Sequence, residues 1–199
     1  MNPPVFRYFG GPNNANDPLR INLPDPTACG LMNMACASFA IDECVEEWFQ
    51  LTTHLTLLNF WLKCRRNDDL PAASEIDPFA FRDAIGETFI LETNDDCSDF
   101  RYRLYGTKLA AAIHTDLTGK LISDLPDRAS EFFLPYYRTV CLLRRASFSE
   151  NDAVPEFSSV TRLCRLVLPM AGENGAIERI LIGMVPKARE IQLDDDSTS

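Results

Sequence analysis

Histidine is scarce in this chain, and patterns that gather nucleophiles or metal ligands are missing. Only His54 and His114 occur in 199 residues, which leaves little for general acid–base work or metal binding. The seven cysteines, at positions 29, 36, 44, 64, 97, 141 and 164, contain no C-x-x-C pair. Neither a zinc knuckle nor a disulfide framework fits that spacing, and reduced, buried thiols are expected instead. A nucleophile elbow, a phosphate-cradling glycine loop and a His-x-Glu signature are absent too, and no carboxylates fall in an arrangement that marks an acid/base pair. The expectation is a protein that is not an enzyme. No run approaches the roughly 20 apolar residues of a membrane span, and the N-terminus lacks the basic start and apolar run of a signal peptide, so a cytoplasmic location is expected. Basic residues are outnumbered, 19 Lys and Arg against 29 Asp and Glu, and of the net charge of −10 the segment 1–84 carries −5 and the segment 188–199 carries −3. Such a surface repels phosphate backbones and anionic lipid, so neither nucleic acid nor membrane is an expected partner.

A composition 46% hydrophobic is enough for one real core. Residues 1–38 hold six prolines by position 26 and no sustained period, and read as an extended or disordered arm. Residues 39–84 read as an N-terminal helix and connector. There Ile41, Cys44, Trp48, Leu51, Leu55, Leu58 and Leu62 follow a 3-4 spacing that predicts an amphipathic helix of about six turns. Acidic residues load its start and basic residues its end, both favourable against the helix dipole. Residues 85–187 read as the core, and 188–199 as an acidic, disordered tail.

Within the core, strands are predicted over Glu87–Thr93 and 99–105, then a helix from about Arg128 to Arg145 with Pro135 as a kink or late start. Strands follow over Ala146–Glu150, Ser159–Met170 and Ala176–Pro186. The segment 99–120, DFRYRLYGTKLAAAIHTDLTGK, switches period in mid-run. Its strand alternates Phe100, Tyr102 and Leu104 against Arg101, Arg103 and Tyr105; Gly106 ends it, Thr107 can cap a stub of helix, and a glycine turn closes a cup suited to a small ligand. The last strand is apolar on both faces, so its sheet must be covered on both sides, by the middle helices on one and by the heptad helix or a second copy of the chain on the other.

The ordered series Trp61, Leu70-Pro71, Glu75-Ile76-Asp77-Pro78, Phe89-Ile90-Leu91, Phe100–Thr107, Asp116–Lys120, Leu168-Pro169-Met170 and Gly183 resembles a PAS domain. It is most similar to a family of stand-alone PAS proteins of proteobacteria, chiefly alphaproteobacteria, over roughly residues 58–187. The resemblance implies an α+β fold: a PAS-like five-stranded antiparallel sheet with helices on one face, preceded by a long N-terminal amphipathic helix that often mediates dimerisation. It implies a pocket between sheet and helices, and a sensor or adaptor that signals through its N-terminal helix to a protein partner.

Five residues are candidates for ligand binding: Tyr102, Arg103, His114, Tyr137 and Cys141. Arg103 could anchor an anionic ligand through paired hydrogen bonds, or with Arg101 cap acidic residues such as Glu46 or Glu47. His114 stands where the short helix meets the glycine turn, as a surface residue or as a ligand or haem contact. Tyr102 and Tyr137 are core residues first and pocket residues second, and Cys141 is a buried inert thiol or a cavity-facing one. Cys44, Trp48, Leu51, Leu55 and Leu58 are candidates for a homodimer or partner seam. Neither the residues nor the resemblance names a cofactor, and flavin photochemistry lacks its reactive-cysteine tract. Two rivals remain: a small enzyme of cone-shaped α+β type, and a structural interaction domain with a filled core.

Overall fold

The computed structural model describes residues 16–21, 23–40, 46–66, 69–94, 96–125, 129–152 and 160–188. In chain order its elements are α1 (Pro18–Ile21), β1 (Ala35–Phe39), α2 (Thr52–Lys63), β2 (Thr88–Thr93), β3 (Phe100–Tyr105), α3 (Thr107–Ile113), α4 (Ala129–Leu143), β4 (Ala146–Asp152), β5 (Val160–Ala171) and β6 (Ile177–Ala188), with short 3-10 turns between α2 and β2. All strands join one sheet in the order β1-β4-β5-β6-β2-β3, every neighbouring pair antiparallel.

Alternation along the central strands sorts the core into two layers. On β6, Ile180, Ile182 and Met184 face one way and Leu181 and Val185 the other; on β5, Val167 opposes Cys164, Leu166 and Leu168. The first layer is closed by α1, α3 and α4, which contribute Leu19, Leu109, Phe132, Phe133, Tyr136, Tyr137 and Val140. The second is closed by α2 and the 3-10 turns, through Leu57, Leu58, Trp61 and Phe81. Trp61 is fully buried and donates from Nε1 to the Pro169 carbonyl at 2.9 Å, which pins α2 to β5. His54 of α2 lies 3.1 Å through Nε2 from the Gly183 carbonyl of β6. A Cβ at Gly183 would stand 2.7 Å from Leu57 Cδ1, so the absent side chain sets how closely α2 can lie on the sheet.

Two features differ from the sequence expectation. The sheet has six strands among the described residues, not five. The five expected strands are β2–β6; the sixth, β1, comes from the stretch read as an arm. It is a short edge strand in a turn-rich tract, and its outer side is tied down by Asp17, whose carboxylate accepts from the Ser38 amide and hydroxyl and from the Leu19 amide. Among the described residues there is also no long amphipathic helix: α2 has 12 residues. Phe49 and Leu51 are both buried, beside Phe39 and Phe148, and residues two apart share a face only in an extended segment. Leu51 accordingly has φ −97° and ψ 123°, and a 3-10 turn at Glu46–Trp48 precedes it. Cys44 lies outside the described residues, as do 1–15 of the expected arm, 153–159 and the tail from 189.

Candidate functional site

The β2–β3 pair carries a bulge that shapes the site. Ile90 pairs with Leu104 but Leu91 with Tyr102, so Arg103 is the extra residue and the alternation of β3 reverses after it. Leu104 therefore packs toward α2, and Tyr105, expected beside the two arginines, turns inward to join Phe89 and Tyr102, with ring centroids 5.4–5.9 Å apart. Gly106 follows, donating to the Thr88 carbonyl at 2.8 Å. A Cβ there would fall 2.4 Å from the Gly86 carbonyl oxygen, so only glycine lets α3 start this close to the chain before β2. Gly106 itself takes the N-cap position and offers no side-chain cap; Thr107 is already helical.

Between this face of the sheet and α3, α4 and the loop 117–125 lies a cavity of about 140 Å³. Its lining is largely apolar: Phe89, Ile122, Phe133, Leu163, Met184 and, from the segment ahead of β1, Leu31. Half-buried Ile113, Leu125 and Ser130 form its rim. Five larger polar groups enter the lining, Tyr102, Tyr105, Tyr137, Asn151 and Arg165. Arg165 is 6% exposed, lies with its guanidinium carbon 4.5 Å from the Phe133 ring centroid, and donates from Nη1 to Asn151 Oδ1. Burial pushes the Tyr105 phenol up to about 12 and that of Tyr137 well above its ordinary value, while the nearby Arg165 charge pulls both down. A larger hollow of about 790 Å³ lies at the β5–β6 turn, but exposed residues such as Glu173, Asn174 and Glu178 line it, so it offers little apolar burial to a ligand.

Of the sequence candidates, Tyr102 and Tyr137 line the cavity. Cys141 sits one turn further along α4, buried beside Cys97, with its thiol pushed up by burial. Arg103 is on the surface, 3.7 Å from Glu92, and Arg101 donates to the Gly119 carbonyl; neither contacts Glu46 or Glu47 in this arrangement. His114 is exposed and ends α3 in the left-handed conformation, φ 54°, outside the lining. Along the heptad stripe, Leu51 and Leu58 are buried in the chain's own core, Trp48 meets the Phe39 ring edge-on, and Leu55 is half-buried. Tyr105, Asn151, Leu163, Arg165 and Met184 were missing from the sequence candidates. Arg165 had a visible signal, a cation inside the apolar run Leu163–Met170; Tyr105 had none, because a bulge leaves no mark on alternation.

The fold is thus an antiparallel sheet whose helix-covered face walls a small, largely apolar cavity. The chain belongs to the PAS domain family: the family's model matches residues 50–185, which spans α2 to β6 and leaves α1 and β1 as additions. No curated protein and no solved structure matches the chain. PAS domains are in general non-catalytic sensor modules, and among the described residues no group of three His, Cys, Asp or Glu could hold a metal ion. No helix of the described residues is long and apolar enough to cross a membrane.

Proposed function

We propose that this chain is a non-enzymatic cytoplasmic sensor whose cavity takes a small molecule and whose output is the position of α2, read by a protein partner or by a second copy of the chain. The observation that carries this reading is the place of β6 between the two layers. Met184 lines the cavity, and the adjacent Gly183 holds α2 through His54. A ligand that displaces Met184 therefore acts on the strand that seats α2, and it shifts α2 only if it binds one arrangement better than the other. The strip of Trp48, Leu55 and Leu62, left half-buried, is the surface on which the partner or second copy would act.

Native mass spectrometry of the purified full-length chain tests the sensor reading. A small molecule retained by the wild type and absent from Leu163→Phe, which fills the cavity, is the expected result. A protein that carries no such molecule, and binds none from a library of small apolar fragments, would overturn it and favour a structural interaction domain.

A further inference from the structure

Two arginines of β5 are buried, and they are satisfied differently. Arg162 is 4% exposed and pairs with two carboxylates, Glu150 at 2.7 Å and Asp152 at 2.8 Å. Arg165, equally buried, has no carboxylate within ion-pair distance among the described residues. Its partners are the neutral Asn151 oxygen and the face of Phe133. A buried cation without an anion is expensive, and such groups are ordinarily paired.

The local geometry directs that unmet charge into the cavity. Arg165 stands on the same face of β5 as Leu163 and Val167, the face turned to α4. Asn151 is held from its other end, its Nδ2 donating to the Asp152 carbonyl at 2.7 Å, so its oxygen is fixed toward one guanidinium nitrogen. The remaining N–H groups of Arg165 are left for an occupant. The phenols of Tyr105 and Tyr137, which line the same space, make no hydrogen bond within the described residues and can donate to an anionic oxygen. Apart from Tyr102 and Ser130, the rest of the lining is apolar and suited to hydrocarbon, and a volume of about 140 Å³ is close to that of the engineered cavity of roughly 150 Å³ that holds benzene.

We infer that the cavity binds a small apolar monocarboxylate, aromatic or branched, with its carboxylate seated on the Arg165 guanidinium and its hydrocarbon body among Phe89, Phe133, Leu163 and Met184. This rests on the reading of the cavity as a ligand site and adds the ligand's charge and size. A guanidinium fork matches a carboxylate through two parallel hydrogen bonds, which a neutral isostere cannot reproduce.

Titration calorimetry on the full-length chain with benzoate and isovalerate, against the neutral benzyl alcohol and isoamyl alcohol at constant ionic strength, separates the two levels of the argument. At least one acid is expected to bind about tenfold or more tightly than its alcohol, and Arg165→Met to remove that preference while the alcohol still binds. Arg165→Lys, which keeps the charge but not the fork, should retain part of it. Should Arg165→Met fail to fold, the acid–alcohol contrast in the wild type and the lysine variant decides. Equal binding of acid and alcohol by the wild type would overturn the carboxylate while leaving the ligand site standing. No binding of any of the four would overturn the carboxylate inference, and the fragment screen then judges the cavity on its own.

Discussion

His54 makes the seating of α2 on the sheet sensitive to acid. It is fully buried between α2 and β6, with its ring edge-on to Phe148 at 5.4 Å. The Gly183 carbonyl can only accept, so Nε2 carries the proton of the neutral ring. Burial lowers the His54 pKa from 6.5 to about 4, outweighing the help that the Gly183 and Cys164 carbonyls give the charged form. Above pH 6.5 the ring is neutral in both folded and unfolded chains, and the stability it allows is fully present. As pH falls toward 4 the unfolded chain takes up a proton that the folded chain refuses, so stability is lost through that window and the loss levels off below it. The slope approaches about 1.4 kcal/mol per pH unit and the whole loss is about 3 kcal/mol. Carboxylates also titrate there, so the measurement is a comparison: urea unfolding of the wild type and of His54→Gln, which keeps a donor for Gly183 but does not titrate. The wild type should lose about 2 kcal/mol more than the variant between roughly pH 7 and pH 4.5. Parallel curves over that range would refute the buried neutral imidazole and with it the described seat of α2.

Four further outcomes follow from the packing. Gly106→Ala drives a Cβ into the Ile85 and Gly86 carbonyls, which are backbone and cannot swing aside, so thermal denaturation should show a loss at or beyond the top of the about 1–3 kcal/mol range for overpacking. Gly183→Ala meets only the ends of the Leu57 and His54 side chains, and the same assay should register a smaller loss, about 1–2 kcal/mol. Leu163→Phe extends into the cavity, so its melting temperature should equal or exceed that of the wild type; a marked fall would mean that the space is already filled. Light scattering of Leu55→Glu with Leu62→Glu should report monomers where the wild type is dimeric if the half-buried strip is a seam between copies, and an unchanged dimer would remove the strip from that role.

How far the sequence can be read differs between layers. The hairpin of β5 and β6, the helix α4 and the stub α3 were legible because each has an unbroken period and clear turn residues at its ends. The two-sided burial of β6 was legible as well, since Ile180 to Val185 are apolar on both parities. The start of α2 was not. A 3-4 spacing through Trp48, Leu51 and Leu55 looks the same whether the chain is helical throughout or extended at Phe49–Leu51, and the choice is made by Phe39 and Phe148, distant residues that take in Phe49. β1 escaped notice because Ala35–Phe39 has no alternation and lies among turns. In the site, Tyr102 and Tyr137 followed from their elements, whereas Arg103 was misplaced by the bulge at its own position, which puts it on the surface and sends Tyr105 inward.

The central claim is that occupancy of the cavity on one face of the sheet is felt by α2 on the other. Hydrogen exchange over Thr52–Lys63, measured on the full-length chain with and without a saturating concentration of whichever of the four probe compounds binds, tests it most directly. The account predicts a change in protection concentrated around His54, Leu57 and Trp61, alongside protection of the cavity-lining strands. Protection confined to those strands, with α2 unchanged, would contradict it.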